Sequence, residues 1–150
     1  MAYAGAMEKI RAIVEAATPD TEAPRKFARV RGKASTAPDS GVAATSGAFR
    51  RFELVPGASR RGSAVNGTGA KQILHDLTLI VFYPDTADLA AFDTMEDDMN
   101  KLRSALEDVS NYDFENSSVQ NIRVGVNTRV RKDGNIQLQV ALTATYIGAN

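Results

Sequence analysis

The stretch ILHDLTLIVFYPDTADL, residues 73–89, decides how the chain is read. Ile73 to Tyr83 is the strongest strand signal in the sequence. Side chains alternate across a strand, so Leu77, Leu79, Val81 and Tyr83 share one face while Ile80 and Phe82 lie on the other. Apolar residues on both faces predict a strand covered on both sides, by its own domain or by a neighbouring subunit. Pro84 ends it, and Asp85, Thr86 and Asp88 offer N-caps and negative charge to a following helix. From about Asp88 to Val109, Leu89, Phe92, Met95 (or Glu96), Met99, Leu102, Leu106 and Val109 step by three and four, the spacing of one helix face. The outer face of this helix is acidic.

On the N-terminal side, Met7, Ile10, Ile13, Val14 and Ala17 fall at helical spacing, predicting a helix over 4–17 that Thr18-Pro19 ends. FARVRGK (27–33) alternates like a strand, and ASTAPDSGVAATSG (34–47) has the small, polar composition of a long loop. AFRRFELV (48–55) predicts a strand closed by Pro56-Gly57, with a second long loop over about 57–72. Beyond SNYDFENSS, Ile122, Val124, Val126, Thr128 and Val130 alternate with Arg123, Asn127, Arg129 and Arg131. Asp133-Gly134 is a two-residue hairpin signal, and Ile136, Leu138, Val140, Leu142, Ala144 and Tyr146 alternate after it. The predicted fold is therefore α+β, a single domain over 1–150. It has a mixed, mostly antiparallel β-sheet, two main helices packed on one side and a C-terminal β-hairpin with one buried face.

The chain has 150 residues, enough for one domain with a real core. No apolar run approaches the roughly 20 residues that span a bilayer. The start, MAYAGAMEKIRAIVEAA, lacks the basic, then unbroken apolar, pattern of a signal peptide, so synthesis in a cytoplasm is expected. With no cysteine, disulfides, thiolate metal sites and cysteine nucleophiles are excluded. With one histidine, His75, a histidine-rich metal site within one chain is excluded, and a Ser-His-Asp triad would have to use that residue. Net charge is zero but segregated: residues 25–71 hold ten Lys or Arg against Asp39 and Glu53, and residues 85–115 hold ten Asp or Glu against Lys101 and Arg103. Two solvated faces of opposite sign account for this. So does a head-to-tail contact between copies, closing into a ring or running on as a filament, with charge setting partner and register. The candidate interface residues are Arg50, Arg51, Arg60, Arg61 and Lys71 on the basic side and Glu96, Asp97 and Asp98 on the acidic side.

RRGSAVNGTGAKQ (60–72) has the look of a phosphate-binding loop but fails its chemistry. Gly62 and Gly67 have the Walker spacing, yet Thr68 stands where the phosphate-binding lysine must be, and a strand follows instead of a helix. The dinucleotide pattern fails too, since Gln72 replaces the third glycine. The surrounding arginines could meet phosphates, but no aromatics are interleaved among them as in single-strand binders. His75 reads as a half-buried structural residue. Asp97-Asp98 and Glu107-Asp108 read as a solvated helix face, because adjacent helix residues do not converge on one ion. The residues point to no catalytic group, cofactor or metal.

The layout as a whole resembles the tail terminator (tail completion) and neck proteins of long-tailed bacteriophages. The resemblance lies in an amphipathic N-terminal helix, FRRFELVPG, a glycine-rich gap, LTLIVFYP, an acidic helix and a hairpin ending LQVALTATYIGAN. It covers most of the chain, in pattern and not in one diagnostic motif. It implies a non-enzymatic virion protein of the tail and neck. Its copies would form a ring, a hexamer in that family, that caps the tail-tube protein and stops its elongation. The ring presents a surface to a head-completion or adaptor protein, and DNA meets it only by passing through the lumen. On this reading Gly62, Asn66, Gly67 and Gly69 belong to a loop facing the lumen or a partner. The same layout also serves a head-completion or adaptor protein, or a tail-tube-like subunit. A small cytoplasmic enzyme or ligand-binding domain would instead show a stable monomer with a deep pocket near His75.

Overall fold

The computed structural model describes residues 2–19, 27–29, 50–64, 71–84, 89–112, 119–132 and 135–148. In chain order these give α1 (Ala2–Ala16), β1 (Ala28–Arg29), β2 (Arg51–Ala64), β3 (Lys71–Pro84), α2 (Leu89–Glu107), a 3-10 turn (Val109–Asn111), β4 (Val119–Lys132) and β5 (Asn135–Gly148). The strands form one five-stranded sheet in the order β1-β2-β3-β5-β4. β1 runs parallel to β2, and every other neighbouring pair is antiparallel. This is the predicted α+β class with a mixed, mostly antiparallel sheet. The caps expected at 85–88, the loop at 34–47 and the Asp133-Gly134 turn lie outside the described residues. Lys132 does pair with Asn135, which leaves a two-residue connection.

Alternation and helical spacing build the core between the two layers. On β3 and β5 the rungs Leu77–Leu142, Leu79–Val140, Val81–Leu138 and Tyr83–Ile136 point to one face, and all eight side chains are buried. Met7, Ile10, Ile13 and Val14 of α1 and Met95, Met99, Leu102 and Leu106 of α2 close over that face in the same cluster. Each such side chain contributes about 1.5–3 kcal/mol by leaving water. On the other face of β3, Phe82 is fully buried as well and Ile80 half-buried. The two-sided pattern of the opening stretch thus describes a central strand.

The strand expected to close at Pro56-Gly57 does not close there. β2 continues to Ala64 and Lys71 already begins β3, so most of the loop placed at 57–72 is sheet. A β-bulge absorbs the Pro-Gly pair: Pro56 pairs with Leu77 and Ser59 with His75, so Gly57 and Ala58 oppose Asp76 alone. Proline lacks a ladder donor and is tolerated at such a place. Glycine is required for close approach, because a Cβ on Gly57 would stand 2.8 Å from the Asp76 carbonyl oxygen. His75 Nε2 lies 3.1 Å from the Gly57 carbonyl oxygen, and the ring N–H donates to it.

A second correction concerns β4. The expected buried row was Ile122, Val124, Val126, Thr128 and Val130. Ile122 is buried and Val124 half-buried, but Val126 is 75% exposed and Val130 37%. The cause is a bulge: Val124 pairs with Leu142 and Asn127 with Val140, so Gly125 and Val126 oppose Ala141 alone. One extra residue exchanges the two faces of everything after it. Asn127, Arg129 and Arg131 therefore share the helix side, where Arg129 pairs with Glu96 at 2.6 Å and the Arg131 guanidinium sits 5.5 Å from the Phe92 ring centre.

Candidate interaction surface

Arg50 and Asp98, expected on opposite sides of a contact between copies, meet each other inside one chain. Both side chains are 0% exposed. Arg50 Nε donates to Asp98 Oδ2 at 2.7 Å and Nη2 to Oδ1 at 2.8 Å, a two-pronged pair. Tyr83 donates its hydroxyl to Asp98 Oδ2 at 2.7 Å. Burial, reinforced by the neighbouring carboxylate, pushes the Tyr83 hydroxyl well above its usual pKa and keeps it a donor. The signal for Asp98 was present in the helix pattern. It lies three residues after Met95 and four before Leu102, on the apolar stripe, whereas Asp97 lies about 100° away and is exposed.

Arg50 is also strained. Its φ of 61° lies in the left-handed region, at a cost of roughly 1–3 kcal/mol for a residue other than glycine. Bonds on both sides hold it there: its N–H donates to the Phe82 carbonyl (3.0 Å) and its carbonyl accepts from the Ala28 N–H (3.1 Å). The guanidinium also lies 5.8 Å from the centre of the Phe27 ring. One residue thereby joins β1, β2 and β3 through its backbone and α2 through its side chain.

Other charges are also matched within the chain. Arg29 on β1 binds Glu8 and Glu15 of α1, and its hydrogen bond holds the Glu8 carboxyl below the usual range. Arg60 pairs with Asp76 across the β2–β3 ladder at 2.9 Å and lowers that carboxyl likewise. Glu96 is bound by Arg129. Arg51 is half-buried and donates to the Arg29 carbonyl oxygen at 3.3 Å. Of the eight interface candidates, Arg61 and Asp97 remain as exposed side chains with no ion pair shown among the described residues. Lys71 opens β3, with its side chain outside the description. Gly62 lies within β2, at the bulge where Arg61 pairs with Ile73 and Ala64 with Lys71. Asn66, Gly67 and Gly69 lie outside the described residues.

His75 is buried at the sheet, with Nδ1 3.5 Å from the Tyr146 hydroxyl and Nε2 on Gly57. A groove of ≈ 370 Å³ lies instead on the helical layer, lined by Lys9, Ile13, Ala17, Ala105, Asp108 and Asn111. Among the described residues no three His, Asp or Glu side chains gather as metal ligands, and no helix is long and apolar enough to cross a membrane.

No protein-family model matches the sequence. No curated protein matches it either. Among solved structures, the chain is similar to one in a structure described as "Virion of native gene transfer agent (GTA) particle". The identity is 15% and the TM-score 0.49, over 97% of this chain and 93% of that one.

Proposed function

We propose that this chain is a structural protein of a phage-like virion, a tail terminator. Its copies form a ring that caps the tail-tube protein, ends tube growth and offers the head-side surface to a head-completion or adaptor protein. The observation that carries this reading is the sheet's pair of outer strands. β4 closes one side of the sheet, and among the described residues β2 beyond Phe52 has no outer neighbour on the other. These two strands run in opposite directions. Rotation about an axis along the strands preserves their direction, so β4 of one copy meets β2 of the next antiparallel, and a ring can close without reversing a subunit. Among the described residues both helices lie on one face of the sheet, and Val126, exposed on the other, is available to a contact between copies. The element order also supports the resemblance stated above.

The ring itself is the first test. Native mass across a range of protein concentration, with negative-stain images of the same samples, should give closed particles of one size. Asp97→Lys, an exposed position, should weaken their assembly while leaving the subunit folded. Open-ended tubes would instead assign the chain to a tube role. A monomer that fails to bind isolated tail tubes would overturn the reading.

A further inference from the structure

Asp98 and Glu53 are the buried carboxylates among the described residues, and only Asp98 is paired. Glu53 lies between Phe52 and Leu54, whose side chains join the core, so alternation turns it to the sheet face opposite the helices. It is 6% exposed there, and neither carboxylate oxygen has a hydrogen-bond partner. Its rung partner on β3 is Ile80, flanked on that face by Thr78 and the buried Phe82. On β2 itself the same-face neighbours are Arg51 and Val55. On β1, Ala28 shares the face, whereas Arg29 turns to α1. β5, one strand further, offers the amides of Gln137 and Gln139 and no charge. Arg51 is thus the neighbouring charged side chain on this face among the described residues, and it reaches away to the Arg29 carbonyl oxygen.

An ionised carboxylate without partners is costly to bury, whereas a neutral carboxyl is far less so. We propose that Glu53 links the stability of this sheet to protonation: the folded chain holds a neutral carboxyl, and ionisation favours unfolding of the β2–β3 pairing. The inference is independent of the virion reading. Burial raises the Glu53 pKa to about 7, from an ordinary 4.5. A raised folded-state pKa contributes stability that is fully present below 4.5 and is lost as pH rises through about 7. The fold should therefore be more stable under mild acid than under mild alkali.

The direct test is a carbon-13 NMR titration of the Glu53 side-chain carboxyl in the intact wild-type chain. A midpoint near 7 is expected, and one near the ordinary 4.5 overturns the proposal. Because it uses the wild-type protein, this titration decides the matter even if Glu53→Gln fails to fold. With a folded Glu53→Gln, the wild-type folding constant relative to the variant should rise about fifty-fold from pH 7.5 to pH 5. An unchanged ratio overturns the proposal. Amide exchange in β2 and β3, corrected for intrinsic rate, should accelerate above pH 7 in the wild type and not in Glu53→Gln. Equal exchange in the two proteins overturns the proposal.

Discussion

Replacing Asp98 by Asn should destabilise the subunit severely and without reference to assembly. The carboxylate holds two guanidinium N–H groups and the Tyr83 hydroxyl in a site with no exposure. An amide of the same shape takes away the carboxylate charge that faces the buried Arg50 guanidinium. Breaking one side of a buried pair costs about 3–5 kcal/mol. Whole domains are stable by about 5–15 kcal/mol, so this is a large fraction of the total. For a chain of this size each kcal/mol lowers Tm by about 2–4 °C, which predicts a fall of roughly 6–20 °C. Urea unfolding followed by circular dichroism, together with calorimetry, measures both quantities. Arg50→Met, Asp98→Leu and Tyr83→Phe made together remove the three mutually bonded groups at once, and apolar replacement of a buried ionic network is often neutral or stabilising. The triple variant should recover most of the loss. A single-variant loss under about 1 kcal/mol, or a triple variant no better than Asp98→Asn, would refute the account.

Gly57→Ala places a methyl 2.8 Å from the Asp76 carbonyl oxygen and strains the bulge that His75 binds. It should cost about 1–3 kcal/mol in urea unfolding, with the His75 ring resonances displaced in NMR. Asp76, held low by Arg60, contributes stability that is present above its ordinary pKa of 3.8 and is lost as pH falls through its lowered folded value. Asp76→Asn should therefore be less stable than wild type at pH 6, with the gap closing on acidification. The pair is exposed, so the gap should also shrink in high salt, which a urea series at two ionic strengths would show.

Much of this molecule is written in residue spacing. The steps of three and four in α1 and α2, and the alternation in β3 and β5, reflect local periodicity that any core on one side enforces. Both helices, β3 and β5 are legible for that reason. What spacing does not carry is an insertion in the period. At Gly57-Ala58 and at Gly125-Val126 one extra residue keeps the chain in the sheet but exchanges its faces. Spacing alone makes a loop of a strand in the first case and turns a valine row to the wrong side in the second. Gly125 is the local hint, since an isolated glycine inside a strand pattern marks a bulge.

Charge was the harder quantity. Composition by itself determined that basic and acidic residues fall in different segments. It could not determine whom each charge meets, because partners 48 residues apart, as Arg50 and Asp98 are, come together only when β2 is laid beside β3 and α2 crosses the sheet. Helical spacing put Asp98 on the buried stripe, and burial without a partner is too costly to persist. Tertiary structure supplied that partner from the same chain. It left Glu53 with none, and of the eight candidate interface charges it left Arg61 and Asp97 exposed with no ion pair shown among the described residues.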